Sequence, residues 1–173
     1  GAISDYSEAI KINPNDGDSY YNRAILKEDF LKDFKGAISD YTKVINIDPE
    51  DENASTDFKA DAYFNRGILK EDFLKDFKGA ISDYSEAIKI NPEYGDAYFN
   101  RAQIKDVELK DYEGAISDYT QSLKFNPQDQ DVYYNMGILK YESGDNRGAI
   151  SDFTKAIKID PNNFEAYFNR GIA

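Results

Sequence analysis

The chain has 173 residues, and its 21 Lys and Arg against 33 Asp and Glu give a formal net charge of −12. That charge repels phosphate backbones and anionic lipid over about a Debye length, roughly 8 Å in physiological salt, so neither nucleic acid nor a membrane is an expected partner. There is no His and no Cys, which removes imidazole and thiolate nucleophiles, the common proton shuttle and the usual zinc and haem ligands; the chain reads as a non-enzyme with no catalytic residue, cofactor or metal site. The 14 Tyr and 11 Phe argue for a packed core over disorder. No apolar run approaches the roughly 20 residues that span a bilayer. A chain without thiols suits any redox compartment, so localisation stays open, with the cytoplasm slightly favoured.

The block Gly-Ala-Ile-Ser-Asp-Tyr/Phe starts at Gly1, Gly36, Gly79, Gly114 and Gly148, at intervals of 35, 43, 35 and 34 residues. A fixed period in this range marks a repeat array, in which stacked units bury what no unit buries alone. Residues 1–14 are the second helix of a truncated repeat, with a helix expected over Ala2–Ile12. Residues 15–49 form the first whole repeat. Residues 50–92 form a second, carrying an eight-residue insertion, Asp51 to Phe58, in which Ser55 or Thr56 is an expected N-cap and the following helix is expected to gain about two turns. Residues 93–127 and 128–161 are two further repeats, and 162–173 start another. In the third repeat a helix runs from about Gly95 to Glu108, a Leu-Lys-Asp break follows, and a second helix runs from Tyr112 to Phe125. Pro14, Pro49, Pro92, Pro127 and Pro161 share one phase just past the second helix, where a ring lacking N–H ends one helix and lets the next begin. The turns at Lys32, Lys75 and Lys110 hold one residue more than Ser143-Gly144-Asp145 and are expected to be looser. Residues 25 to 41 and 68 to 84 are identical over 17 positions, as the duplication of a unit would leave them.

An aromatic, a small residue four later, an Ala in the second helix, an aromatic four beyond, a small residue three further and a Pro fall at Tyr98, Ala102, Ala115, Tyr119, Ser122 and Pro127, and again at Tyr133, Gly137, Ala149, Phe153, Ala156 and Pro161. This pattern resembles the tetratricopeptide repeat family. The resemblance implies an all-α fold, a right-handed α-α superhelical solenoid of helix hairpins, with 1–173 as a single array. It also implies a non-catalytic scaffold that binds a peptide or helix of a partner protein in a concave groove.

Each first helix is apolar on two faces. Tyr133, Gly137 and the Lys140 stem mark the seam with the partner helix, while Tyr134, Ile138 and Tyr141 form a second stripe. That stripe repeats as Tyr21 and Ile25, Phe64 and Ile68, Phe99 and Gln103, and Phe168 and Ile172. By resemblance it lines the groove; packing between neighbouring first helices is the other use of such rings. Asn22, Asn65, Asn100, Asn135 and Asn169 follow the groove aromatic in every unit, and a primary amide can pair with a peptide backbone or with its own helix. The row resembles the asparagine ladder of O-linked N-acetylglucosamine transferases. It also resembles the asparagine of a chaperone-binding carboxylate clamp, whose other members are replaced by Tyr21, Ile25, Phe64, Asp96 and Asn100, so capture of an acidic tail is not expected.

Asp18, Asp61, Asp96, Asp131 and Glu165 stand three before the groove aromatic, and Glu28, Glu71 and Asp106 seven after it. An apolar groove rimmed by carboxylates calls for a protein or peptide with apolar and basic residues. Arg23, Arg66 and Arg101 are expected to pair with Asp40, Asp83 and Asp118, whereas Met136 fills the arginine slot opposite Asp152. The acidic turns Asn15–Asp18 and Asp48–Glu52 lack the alternating spacing and twelfth-position Glu of a calcium loop. Three roles stay open: the groove binder, a structural spacer or head-to-tail self-stacking module built on the two half repeats at the ends, and a targeting domain of a larger enzyme.

Overall fold

The computed structural model describes residues 1–50 and 58–173, and the chain divides between Pro92 and Glu93 into two compact units. The first holds α1 (Ala2–Ile12), α2 (Gly17–Asp29), α3 (Phe34–Asn46), α4 (Lys59–Asp72) and α5 (Phe77–Ile90). The second holds α6 (Gly95–Val107), α7 (Tyr112–Phe125), α8 (Gln130–Glu142), α9 (Asn146–Ile159) and α10 (Phe164–Ile172). Among the described residues there is no strand. Inside each unit every helix packs on the next in sequence, most closely within the hairpins α2–α3, α4–α5, α6–α7 and α8–α9.

The repeated block explains how each second helix begins. Asp33, Asp76, Asp111 and Asp145 are N-caps, and their carboxylates accept from the backbone N–H of Gly36, Gly79, Gly114 and Gly148 at 2.9–3.0 Å. A Cβ at any of these glycines would overlap the capping carboxylate. One turn on, Ala37, Ala80, Ala115 and Ala149 are fully buried, and Tyr41, Tyr84, Tyr119 and Phe153 are the largest buried side chains. A small residue lets two helices approach and the ring a turn later fills the space between them.

The structure corrects the expectation of looser turns. Asp33, Asp76 and Asp111 N–H donate to Lys27, Lys70 and Lys105 C=O at 2.8 Å, and Asp145 N–H donates to Lys140 C=O at the same 2.8 Å. The extra residue lengthens the closing ring by one residue and leaves its bond intact. Its cost is conformational: Lys32, Lys75 and Lys110 sit at φ +54° to +56°, where Gly144 sits at +85°.

Helix α4 begins at Lys59, after Phe58. Counted from Asn65 and Asn100, that is one residue earlier than the Gly95 start of α6. The expected caps Ser55 and Thr56, like the rest of Asp51–Asp57, lie outside the described residues.

Candidate functional site

The two faces of each first helix have different surroundings. On the seam side, Ala24, Gly67, Ala102 and Gly137 are buried. A Cβ on Gly67 would lie 2.7 Å from the Tyr84 ring, and one on Gly137 would lie 2.6 Å from the Phe153 ring. On the other side, Tyr21, Ile25, Phe64, Ile68, Phe99, Gln103, Tyr134 and Ile138 are half-buried, and Tyr141 is exposed. Each aromatic of this stripe leans on the core ring of its own hairpin: Tyr21 on Tyr41, Phe64 on Tyr84, Phe99 on Tyr119 and Tyr134 on Phe153, with centroids 5.8–5.9 Å apart and planes tilted 47–56°. Tilted pairs of this kind fix the ring orientation and leave one edge outward. Tyr21 has a further neighbour. Phe58 stacks on it at 4.5 Å with planes 3° apart, so the last residue of the insertion covers one end of the stripe.

In the asparagine row, Asn22, Asn65, Asn135 and Asn169 make hydrogen bonds within the protein. Asn65 Nδ2 donates to the hydroxyls of Tyr21 (3.2 Å) and Tyr41 (3.4 Å), Asn135 Nδ2 to Tyr119 (3.3 Å) and Asn169 Nδ2 to Tyr134 (2.9 Å). Each time the acceptor belongs to the preceding hairpin. Asn22 donates to the Asp18 carbonyl at 2.8 Å, one turn back in its own helix. Asn100 shares the half-buried environment of the row.

Part of the acidic rim is tied to the core in the same way. Tyr41 OH donates to Glu28 Oε2 at 2.9 Å, and Tyr84 OH to Glu71 Oε2 at 2.7 Å. Burial raises the Glu28 carboxyl, and Tyr41 opposes that rise by bonding the charged form. Asp106 is raised by burial and then by the nearby Glu142 carboxylate. Burial likewise raises the phenols of Tyr41 and Tyr119, with Glu28 and Asp106 respectively adding to it, so both stay neutral. In the fourth hairpin Phe153 has no hydroxyl to donate, and Tyr141 takes the carboxylate's slot.

Inside the hairpins, the expected Arg to Asp pairs form and acquire a second cation. Arg23 grips Asp40 with Nε and Nη2, both at 2.8 Å, and Lys27 Nζ reaches the same carboxylate at 2.7 Å. Arg66 and Lys70 hold Asp83, and Arg101 and Lys105 hold Asp118, in the same way. The remaining nitrogen of Arg23 reaches Ser7 and that of Arg66 reaches Thr42, each at 3.0 Å on the preceding second helix. Where Met136 replaces arginine, Asp152 is held by Lys140 and by Lys155 from its own helix at 2.9 Å. Lys155 Nζ also lies 5.0 Å from the Tyr133 ring, the place taken over Tyr20, Tyr63 and Tyr98 by Arg23, Arg66 and Arg101. Sequence reasoning missed Lys155 because its partner is three residues away on one helix, a spacing that every surface helix offers. Among the described residues no group of acidic side chains could hold a metal ion, and no helix is long and apolar enough to cross a membrane.

These elements define a class, helix hairpins repeated at about 35 residues with small residues on the seam and rings between helices. Family models for the tetratricopeptide repeat match residues 17–51 and 60–94, and models for the TPR repeat match 106–144 and 139–173. The chain belongs to the tetratricopeptide repeat family, whose fold is the all-α helical-repeat solenoid. No curated protein is significantly similar to it in sequence. Among solved structures it resembles MamA (TM-score 0.77, 22% identity, 95% of this chain and 90% of that one). It also resembles YrrB, described as a TPR protein with an unusual peptide-binding site (TM-score 0.80, 22% identity, 96% and 80%). The first TPR of Spaghetti (RPAP3), bound to the HSP90 peptide SRMEEVD, is similar over a shorter stretch (TM-score 0.60, 23% identity, 66% and 89%).

Proposed function

We propose that this protein is a non-catalytic interaction scaffold whose first helices hold a partner's peptide or helix, along Tyr21, Ile25, Phe64 and Ile68 with Asn22 and Asn65 beside them in the first unit, and along Phe99, Gln103, Tyr134, Ile138 and Tyr141 with Asn100 and Asn135 beside them in the second. The observation that carries this is the half-buried state of the stripe. Rings and isoleucines that only packed between helices would be buried like Tyr41 or Phe153, yet each of these keeps accessible apolar surface. Asn65 and Asn135 contribute as bridges to tyrosine hydroxyls of the preceding hairpin, and the rings and isoleucines supply the contact area. The peptide held by Spaghetti is acidic; here the rim carries Glu28, Glu71 and Asp106, which favours a basic segment. The test is a titration or pull-down of a genuine partner with wild type and with Phe99→Ala plus Asn100→Ala, with folding checked by thermal midpoint. Loss of binding at unchanged fold supports the reading, and equal binding refutes it.

A second reading, head-to-tail association of two copies, is favoured by a match between segments. Phe164, Tyr167, Phe168 and Ile172 of α10 are exposed. Residues 166–172 repeat the sequence of 62–68 in α4, and residues 1–14 repeat that of 79–92, which covers all but the first two residues of α5, the helix that packs on α4. The α1 of one copy would then meet the α10 of another as α5 meets α4, with Asp5 facing Arg170. Concentration-dependent sedimentation that Arg170→Glu abolishes would support it; a concentration-independent monomer would exclude it.

A further inference from the structure

At the junction of α2–α3 with α4–α5 there is a cleft of about 290 Å³ lined by Glu28, Phe34, Ile68, Leu69, Asp72 and Phe73. Its chemistry is mixed in a particular way. Leu69 is buried and Ile68 half-buried, and the rings of Phe34 and Phe73 meet at 5.0 Å with planes tilted 47°. Two carboxylates face the same space, and none of the lining side chains is cationic. Asp29 and Lys32 act on Glu28 with opposite sign, and neither lines the cleft.

The carboxylate pair recurs in the second unit. Asp106 stands seven after the stripe aromatic, as Glu28 does, and Glu142 stands four after the stripe isoleucine, as Asp72 does. In that unit Glu142 opposes ionisation of Asp106. Tyr112 takes the place of Phe34, but Ser143 takes that of Phe73, so the first unit has the fuller apolar wall. A carboxylate half-buried beside apolar surface costs free energy to keep charged, and a cation that joins it lowers that cost. Lys and Arg suit such a site because their stems are apolar and their heads are charged, and aromatic faces attract the same heads.

We propose that this cleft is a pocket for one basic side chain, Arg or Lys, of a bound segment, with the stem along Ile68, Phe34 and Phe73 and the cationic head at Glu28 and Asp72. The proposal rests on the reading of the first helices as a peptide-binding face and assigns that face a basic anchor.

The probe that tests it is Nα-acetyl-argininamide titrated into the ¹⁵N-labelled 173-residue chain, with Nα-acetyl-citrullinamide as the uncharged isostere. The arginine probe should give saturable amide shifts over residues 68–73 in the millimolar range, and the citrulline probe should bind about fivefold or more weakly. Glu28→Gln combined with Asp72→Asn should remove that preference; the amide oxygen introduced by Glu28→Gln still accepts from Tyr41, and the thermal midpoint checks the fold. Phe73→Ala should weaken both probes. Equal response to the two probes, or shifts that stay linear and spread over the acidic surface, would overturn the proposal. Arginine binding here alongside partner binding insensitive to Phe99→Ala plus Asn100→Ala would refute the groove and leave the pocket; partner binding lost in that variant with no arginine response would refute the pocket alone.

Discussion

The hairpins α4–α5 and α8–α9 bury the same carboxylate and neutralise it differently. In α4–α5, Asp83 is gripped by Arg66 and Lys70, both from the facing helix and both largely covered, with side chains 14% and 20% exposed. In α8–α9, Met136 removes the arginine, and Asp152 is held by Lys140, 24% exposed, and by Lys155, 50% exposed, from its own helix. A buried carboxylate next to a helix seam must be paired, but the pairing need not cross the seam. Crossing it links two helices; pairing along one helix does not. The α4–α5 cluster therefore fixes the register of its hairpin, and the α8–α9 cluster relies more on Met136 and Leu139 packing, both of which are buried.

The largest expected effect comes from breaking that contrast. Asp83→Ala strands two covered cations and should cost about 3–5 kcal/mol, whereas Asp152→Ala lets Lys155 swing into solvent and should cost at least about 1 kcal/mol less; equal losses in denaturant melts would remove the distinction. Next comes the seam itself. Gly67→Ala and Gly137→Ala push a methyl into a core ring and should destabilise by about 1–3 kcal/mol, while Gly171→Ala, whose Cβ would meet nothing within 4 Å, should be neutral or stabilising by up to about 1 kcal/mol. Smaller again are the turns: Lys32→Gly or Lys75→Gly relieves a left-handed non-glycine residue and should raise stability by about 0.5–1 kcal/mol, read as a rise in thermal midpoint.

The smallest effect is a pH dependence. Burial lifts the Glu28 carboxyl above its ordinary 4.5, so the folded state holds that proton more tightly than the unfolded chain does. Its contribution to stability is fully present below 4.5 and is lost as pH rises through the raised value. Glu28→Gln keeps an acceptor for Tyr41 and drops the charge, and should therefore gain on wild type between about pH 4 and pH 7 in parallel melts. A gap that narrows over that range would contradict the assignment.

The hairpins, their seams and the Arg to Asp pairs at Asp40, Asp83 and Asp118 were legible in the sequence because they repeat at one phase, and repetition turns weak local signals into a strong one. What departs from the period was not. Lys155 pairs within one helix, Phe58 reaches Tyr21 from an insertion found in one repeat only, and the left-handed lysines close a turn that composition alone would leave open. The asparagine row was visible as a row, yet its direction was not: a primary amide bonds a peptide or a neighbour equally well, and only the placement of the Tyr21, Tyr41, Tyr119 and Tyr134 hydroxyls one hairpin back decides where Nδ2 points. The exchange of Tyr84 and Glu71 for Phe153 and Tyr141 is a signal that was present and unread, since a donor and its acceptor disappear together.

The claim that the first helices form the binding face is tested most directly by site-specific photocrosslinking in the native extract. A photoreactive side chain would be placed at Gln103 on the stripe or at Thr120, exposed on the second helix of the same hairpin. The account predicts that mass spectrometry recovers one partner's peptide joined to position 103 and absent at position 120. Capture at 120 alone, or equally at both, would contradict it.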